Sequence, residues 1–200
     1  MHPGFVSLKD MFPALMLDIR YATPHNLTGE PLDGYLASKA LSTREAAQAL
    51  GTALHALECL GYGLCIFDAY RPQKAVNHFL RWSQTPEDGR TKAEFYPGLD
   101  KRMLFPLGYI ALRSGHSRGS TIDLTLTEND VPLDMGTCFD FMGEASHHGY
   151  TALAEDVLQR RRLLRAVMED AGFAPYENEW WHYRLNPEPC PDTYFDFDIT

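Results

Sequence analysis

Residues 114–127, SGHSRGSTIDLTLT, decide the fold of this chain because they join a glycine-rich turn to a clear strand. From Ser120 onward polar and apolar residues alternate, which is the two-residue period of a β-strand. The apolar face consists of Ile122, Leu124 and Leu126, and the polar face consists of Thr121, Asp123 and Thr125. His116 lies in the turn, so a tight reversal can return its side chain to Asp123. An imidazole nitrogen and a carboxylate oxygen would make half of a zinc site.

The other half of such a site is predicted in residues 177–185, ENEWWHYRL. Glu179 and His182 are three residues apart, so a regular strand would point them to opposite faces. We therefore predict an irregular backbone around Trp180, with the strand beginning near Trp181, which lets the two side chains converge.

Together these residues predict a catalytic metal centre. The candidate ligands His116, Asp123 and His182 leave the fourth zinc position open for water, which is typical of catalytic sites. The bound cation would acidify that water, and Glu179 is the natural base to take its proton. The alternative interpretation is structural, with Asp123 as a strand-end hydrogen bonder and His182 packed in an aromatic cluster.

A competing motif overlaps the same turn. Residues 115–119, GHSRG, match G-x-S-x-G, the nucleophile elbow of serine hydrolases. That motif requires a strand before the serine and a helix after it, whereas the segment after Ser117 has the period of a strand. The pattern therefore favours a chance match over a serine nucleophile.

The rest of the chain predicts helices and strands in mixed order. Further strands are predicted over residues 15–21, 63–70 and 109–113, with an aromatic strand at about 181–185. Helices are predicted after a Ser42/Glu45 capping box, over 73–82 and over about 152–171, with Arg160, Arg161 and Arg162 on a solvated face. Residues 83–107 are expected to be mostly loop. Because neighbouring strands are joined by both helices and loops, we predict one α+β domain over residues 1–200, with a central, mainly antiparallel sheet flanked by helices.

Composition limits the possible partners. The 200 residues carry 18 basic and 27 acidic side chains, a net charge of −9, which disfavours a nucleic-acid partner. No stretch approaches the roughly 20 apolar residues of a membrane helix, and the first residues lack the pattern of a cleaved leader. We therefore expect a cytoplasmic protein with no nucleic-acid or membrane partner. The four cysteines form no C-x-x-C pair and are expected to be reduced: Cys59, Cys65, Cys138 and Cys190.

The assembled residues resemble the VanX-type D-alanyl-D-alanine dipeptidases, which are zinc peptidases related to zinc D,D-carboxypeptidases, L,D-endopeptidases and the hedgehog signalling domain. The similarity runs in order from about Asp18 to Phe197, through DIRYAT, NLTG, GYGLCIFDAYRP, SGHSRGSTIDLTL, DMGTCFDFM with SHH, RRRLLRAVMEDAGF and EWWHY. The S-x-H-x-x-G-x-x-x-D pattern belongs to the wider zinc superfamily, whereas DAYRP and DMGTCFDF point to the dipeptidase branch.

This resemblance implies the roles of seven residues. It implies one catalytic zinc held by His116, Asp123 and His182, with Glu179 as general base, Arg71 as the transition-state-stabilising arginine, Asp140 as the carboxylate that receives the substrate's amino group, and Ser114 in the substrate pocket. Leu27, Gly115 and Gly143 depart from the family's usual residues without removing a ligand, the base or the arginine.

The implied activity is zinc-dependent hydrolysis of the free dipeptide D-alanyl-D-alanine, in vancomycin-type resistance or in recycling of cell-wall dipeptide. A buried Asp140 would pair with the ammonium group of that substrate and would leave an N-blocked or longer peptide unpaired. Two alternatives stay open at this point. One is a zinc carboxypeptidase or endopeptidase that acts on longer peptidoglycan peptides, and the other is a catalytically silent zinc-binding module.

Overall fold

The structure is a computed structural model that describes residues 2–200. Its strands are β1 (Phe5–Ser7), β2 (Met16–Leu17), β3 (Leu41–Thr43), β4 (Gly63–Asp68), β5 (Thr121–Glu128), β6 (Val131–Pro132), β7 (Phe173–Tyr176) and β8 (Glu179–Leu185). Its α-helices are α1 (Leu8–Met11), α2 (Arg44–Glu58), α3 (Gln73–Ser83), α4 (Lys92–Phe95) and α5 (Glu155–Asp170). Short 3-10 helices cover Arg20–Ala22, Lys101–Met103, Gly115–Arg118 and Glu144–Ser146. None of the helices in residues 2–200 has the length and apolarity needed to cross a bilayer.

Six strands form one sheet in the order β2–β4–β5–β8–β7, with β6 paired to β5. β2 runs parallel to β4, and the other pairs of this sheet are antiparallel. β1 and β3 form a separate antiparallel pair. α5 packs against β5, β7 and β8, and α2 packs against β4. The predicted α+β architecture, a mainly antiparallel central sheet flanked by helices, is therefore confirmed.

β5 lies at the centre of the sheet, and both of its faces are buried. The apolar residues Ile122, Leu124 and Leu126 are completely enclosed, as the alternation indicates. The polar face is equally enclosed, and Asp123 is only 1% exposed. Because a buried carboxylate is costly without partners, this residue marks a polar site inside the fold.

The helix predicted after Ser42 is α2, but its cap lies one residue later. Ser42 is part of β3 and pairs with β1. Thr43 caps the helix instead, since its side chain accepts a hydrogen bond from the Ala46 amide. The predicted capping box with Glu45 is therefore wrong, because its first residue is committed to a strand. The buried stripe of α2 consists of Ala46, Ala47, Leu50, Ala53, Leu54 and Leu57.

The strand predicted over residues 109–113 is wrong. The amides of Tyr109 and Ile110 both donate to the carbonyl oxygen of Leu104, at 3.0 and 3.2 Å, so the chain folds back on itself instead of joining the sheet. The strand predicted over 15–21 is shorter than expected, because β2 covers two residues and a 3-10 helix begins at Arg20. β1, β3 and β7 have no counterpart among the predicted elements, and α4 lies in a stretch expected to be mostly loop.

The arginines of α5 do not share one solvated face, contrary to prediction. Arg161 is 4% exposed. Its Nε donates to the carbonyl oxygen of Met135 at 2.7 Å, and its Nη1 donates to the carbonyl oxygen of His147 at 3.3 Å. Arg160 is half-buried and Arg162 is exposed. Arg161 thus holds two loops against the helix from inside the fold.

Candidate active site

Three of the predicted site residues lie together beside the central strand. His116 lies in the 3-10 helix that precedes β5, and Asp123 and His182 are paired directly across β5 and β8. Nε2 of His116 is 3.2 Å from Oδ2 of Asp123 and 3.3 Å from Nδ1 of His182. Nδ1 of His182 is 3.0 Å from Oδ1 of Asp123. The fold therefore brings together side chains that are far apart in the sequence.

The three side chains lie close enough together to hold one metal ion, with one ligand atom of each within 4.8 Å of the others. Ligand atoms about 2.0–2.1 Å from zinc lie about 3.3 Å from one another in tetrahedral geometry, and the two imidazole nitrogens are 3.3 Å apart. Each nitrogen lies close to a different oxygen of the Asp123 carboxylate, at 3.2 Å for His116 and 3.0 Å for His182. Oδ1 of Asp123 is buried and has no hydrogen-bond partner among residues 2–200, although an imidazole nitrogen is 3.0 Å away. When the imidazoles are neutral, a cation bound here would be coordinated by the lone pairs that they and the carboxylate direct into the buried site.

The orientation of His116 is fixed from behind. Its Nδ1 is 2.7 Å from the carbonyl oxygen of Ala69, which can only accept, so Nδ1 carries the proton. In the neutral imidazole, Nε2 then presents its lone pair to the cluster, as in metal-binding histidines whose second nitrogen donates to the protein. Gly119 makes the turn into β5 with a φ of +82°, and a Cβ there would meet the ring of Phe5 at 2.5 Å.

The buried carboxylate and the two imidazoles shift the pKa values of one another. Burial alone would raise the pKa of Asp123, but the imidazoles of His116 and His182 hold that pKa well below its usual range. Burial lowers the pKa of His182, but the Asp123 carboxylate outweighs this effect and raises it above its ordinary value. Because a metal requires the neutral imidazole, metal binding here would compete with a proton.

Glu179 reaches the same cluster through an irregularity in β8. Tyr176 of β7 pairs with Glu179, whereas the preceding Pro175 pairs with Tyr183, so the register shifts within the hairpin. Oε2 of Glu179 is 3.4 Å from Nδ1 of His182. The expected irregularity is present, although β8 begins at Glu179 itself and therefore earlier than predicted. Burial raises the pKa of Glu179 to about 7, which suits a group that exchanges protons near neutral pH.

The guanidinium of Arg71 is held in place by contacts on several sides. Its Nε donates to Oδ2 of Asp68 at 2.9 Å. Its guanidinium lies 4.7 Å from the centre of the Tyr21 ring and 5.5 Å from that of Phe79. Nη2 is 3.5 Å from Oδ2 of Asp123. The result is a fixed positive charge beside the candidate metal ligands.

Asp140 is a buried carboxylate whose hydrogen-bond donor is neutral. It is 4% exposed and adopts a left-handed backbone conformation with a φ of 63°. The Tyr21 hydroxyl donates to its two oxygens at 3.0 and 2.8 Å. Burial raises the pKa of Asp140 to about 8, although the Tyr21 hydrogen bond and the charge of Arg71 both act to lower it. A carboxylate in this position would gain from a cationic ligand.

All seven predicted site residues line one cleft of about 250 Å³: Arg71, Ser114, His116, Asp123, Asp140, Glu179 and His182. Ser114 also has a structural contact, because its Oγ accepts a hydrogen bond from the His116 amide at 3.2 Å and caps the 3-10 helix. The apolar part of the wall consists of Leu27, Val76, Phe79, Ile110 and Met142. The cleft therefore combines a charged end with an apolar side and is small enough for a short ligand.

Tyr21 lines the cleft and Asp68 lies directly behind it, and neither is among the predicted site residues. The Tyr21 hydroxyl bridges the two ends, since it donates to Asp140 and lies 3.5 Å from Nη2 of Arg71. The acid–arginine pair within DAYRP was the available signal for Asp68. Tyr21 lies within DIRYAT, one of the segments that carry the resemblance, but its contact with Asp140, 119 residues further along the chain, is not visible in the sequence.

The serine of the G-x-S-x-G motif, Ser117, is not positioned to act as a nucleophile. Ser117 is completely buried inside the 3-10 helix. Gly119 and then β5 follow it, where the motif requires an α-helix. The match to G-x-S-x-G is therefore a coincidence of the turn that carries His116.

The cleft has the arrangement of a metal-dependent hydrolase. It holds a His/Asp/His donor set, a neighbouring carboxylate and an arginine whose guanidinium is held in place. The sequence profile of the Peptidase_M15 family, described as D-ala-D-ala dipeptidase, matches residues 1–200, and the chain belongs to this family. The resemblance and the expected class of enzyme, a metallopeptidase of the dipeptidase type, are confirmed.

Relatives described as D-alanyl-D-alanine dipeptidases cover 90% to 100% of the chain. A D-alanyl-D-alanine dipeptidase of Enterococcus faecalis is 46% identical over 202 residues, which covers 100% of both chains. One of Streptomyces coelicolor is 48% identical over 198 residues and covers 98% of each chain. One of Escherichia coli is 34% identical over 181 residues, which covers 90% of this chain and 83% of the relative.

Proposed function

We propose that this protein is a zinc-dependent dipeptidase that hydrolyses free D-alanyl-D-alanine, with residues 1–200 forming one catalytic domain. The observation that carries the proposal is that Glu179, Arg71 and Asp140 surround the His116, Asp123 and His182 cluster within a single small cleft. Full-length relatives described as D-alanyl-D-alanine dipeptidases support the choice of substrate.

His116, Asp123 and His182 would hold the zinc ion through Nε2, a carboxylate oxygen and Nδ1. When bound, the ion would lower the pKa of a coordinated water and polarise the peptide carbonyl. The donor chemistry supports zinc, since two imidazoles and one carboxylate are its usual catalytic ligands.

Glu179 is proposed as the general base and acid. It would take a proton from the attacking water and pass that proton to the nitrogen of the leaving amino acid, so that its own charge is restored in each turnover. Its burial and its position 3.4 Å from Nδ1 of His182 support this role.

Arg71 is proposed to stabilise the negative charge that develops on the former carbonyl oxygen. Such a charge is stabilised best by a donor that need not reorganise, typically by a few kcal/mol. The contacts of Arg71 with Asp68 and the Tyr21 ring support this role, because they restrict the guanidinium before substrate binds.

Asp140 is proposed to bind the ammonium group of the free dipeptide, and Ser114 to contact the substrate from the cleft wall. An acetylated amino group would bring no charge to Asp140 and would add volume to a cleft of about 250 Å³. Selection of a free dipeptide over longer peptides would then follow from charge and space together.

Release of D-alanine from free and from N-acetylated D-alanyl-D-alanine tests this proposal against a carboxypeptidase or endopeptidase. We expect the acetylated substrate to react at least about 100-fold more slowly, and Asp140→Asn to reduce that difference. Comparable rates for the two substrates would exclude the dipeptidase assignment.

Metal dependence is tested by dialysis against a chelator followed by zinc. Activity should disappear and return, and activity that never responds to metal would rule out the zinc proposal. A protein that binds zinc and hydrolyses none of these peptides would instead be a silent binding module.

We also propose that the protein acts in the cytoplasm, where it would remove the dipeptide before its use in cell-wall precursors, for resistance or for recycling. Cell fractionation tests this location, and recovery of the activity in the extracellular fraction would contradict it.

A further inference from the structure

Asp68 is a buried carboxylate directly behind the candidate active site. It is the last residue of β4 and pairs with Asp123 across the sheet, just after a register shift that follows Ile66. It is 1% exposed and does not line the cleft. It therefore cannot touch a substrate, and any effect on the reaction must pass through another residue.

The contacts of Asp68 point to Arg71 as that residue. Oδ2 of Asp68 accepts the Nε proton of Arg71 at 2.9 Å. His116 is a weaker candidate, because its Nδ1 is 3.4 Å from the same oxygen and already donates to the carbonyl oxygen of Ala69 at 2.7 Å. The other oxygen, Oδ1, accepts the hydroxyl proton of Tyr35 at 2.5 Å.

This arrangement determines which way the guanidinium faces. Its Nε donates to Asp68, and its central carbon, Cζ, lies over the Tyr21 ring, 4.7 Å from the ring centre. Nη2 lies 3.5 Å from Oδ2 of Asp123, one of the candidate metal ligands, and Arg71 itself lines the cleft. Because the guanidinium is a rigid planar fork, fixing one edge fixes the direction of the remaining N–H groups.

We infer that Asp68, held in turn by Tyr35, is a positioning residue that fixes the guanidinium of Arg71 toward the reacting carbonyl. The inference rests on the proposed function of Arg71 and extends it to two residues that do not contact substrate. Removing the Asp68 carboxylate should leave Arg71 present and charged but free to rotate.

A double-mutant cycle with Asp68→Asn and Arg71→Ala tests the inference. Asparagine keeps the volume of the side chain but cannot accept hydrogen bonds on both of its terminal atoms. In the presence of Arg71 we expect kcat to fall about 10- to 100-fold, with KM changed less than about threefold. In the Arg71→Ala background the same substitution should cost less than about threefold, because the residue through which it acts is gone.

Two readouts separate positioning from a general effect on the metal site. Zinc affinity, measured by competition with a chelator, and the visible spectrum of the cobalt-substituted protein should be unchanged by Asp68→Asn. A changed cobalt spectrum or weakened zinc binding would mean that Asp68 acts on the metal site through His116, and it would overturn the inference.

Tyr35→Phe provides a second, milder variant. It tests whether Asp68 positions Arg71 even if Asp68→Asn does not fold. It removes one hydrogen bond to Asp68 and should lower kcat about 3- to 10-fold, again only when Arg71 is present. Tyr70→Phe is the matched control, because it removes a tyrosine hydroxyl whose partner is Phe197 of the C-terminal tail. This control should leave kcat unchanged.

The outcomes distinguish this inference from the proposed function. A wild-type protein that binds zinc but does not hydrolyse the dipeptide would overturn the proposed function and this inference with it. A different result would overturn the inference alone. In that case the wild-type protein is active, but Asp68→Asn (or Tyr35→Phe in its place) lowers kcat by the same factor with and without Arg71.

Discussion

Glu179 and His182 are three residues apart in one strand, yet Oε2 of the first lies 3.4 Å from Nδ1 of the second. A regular strand would place these side chains on opposite faces of the sheet. The register shift opposite Pro175 and Tyr176 removes that restriction. As a result, one short segment supplies both a candidate metal ligand and the candidate base beside it.

The first prediction concerns Glu179. Glu179→Gln should retain the fold and the zinc content but lower kcat at least about 100-fold, because the amide cannot take a proton from water. Steady-state rates and metal analysis on the same sample measure both properties. Glu177→Gln is the control, since Glu177 is exposed and pairs with Arg165, and its rate should match the wild type. Turnover retained at full zinc occupancy would rule out the role of Glu179.

The second prediction concerns the pH dependence of stability in the metal-free protein. Burial raises the pKa of Asp140 to about 8, whereas an aspartate in an unfolded chain titrates at about 3.9. Between these values the folded state holds a proton that the unfolded state has released. The free energy of unfolding should therefore fall as pH rises, by up to about 1.4 kcal/mol per pH unit from this group. Glu179, with its pKa raised to about 7, acts in the same direction.

Asp140→Asn should remove the Asp140 contribution to that pH dependence. We expect the variant and the wild type to differ little in melting temperature near pH 4, with the variant increasingly more stable toward pH 8. Thermal unfolding of chelator-treated protein across this range measures the difference. Asp192→Asn, in the exposed tail, should show no such trend. An Asp140→Asn offset that is constant with pH would be inconsistent with a buried, protonated Asp140.

The third prediction compares two neighbouring arginines of α5. Arg161→Ala should lower the free energy of unfolding by about 2–4 kcal/mol, because it leaves the carbonyl groups of Met135 and His147 without their buried donor. Arg162→Ala should change it by less than about 0.5 kcal/mol, because that side chain is 64% exposed. Urea denaturation measures both values. Equal losses would mean that the buried contacts of Arg161 do not stabilise the fold.

Much of the fold is predictable from local patterns. The alternation of β5 and the amphipathic stripe of α2 follow from the spacing of apolar residues along the local sequence. The failed elements depend on distant contacts instead. Ser42 has the chemistry of a helix cap, but pairing with β1 places it in a strand. Tyr109 and Ile110 have strand propensity, but their amides are taken by Leu104.

The site shows the same division. His116 and Asp123 are joined by one turn and one strand, so their proximity follows from seven residues of sequence. The position of Glu179 beside His182 required a bulge, which the side-chain chemistry indicated and the strand period alone did not. Arg161 appears as one member of a charged run, and its burial depends on two loops that local sequence does not place. The link from Tyr21 to Asp140 likewise exists only in the folded chain.

His116, Asp123 and His182 are proposed to bind a single metal ion, and every proposed catalytic role depends on that ion. X-ray diffraction from crystals grown with zinc, with anomalous data collected on both sides of the zinc absorption edge, tests this claim most directly. We expect one strong anomalous peak bonded to Nε2 of His116, Nδ1 of His182 and the carboxylate of Asp123. Zinc bound elsewhere, with these three side chains uncoordinated, would contradict the account.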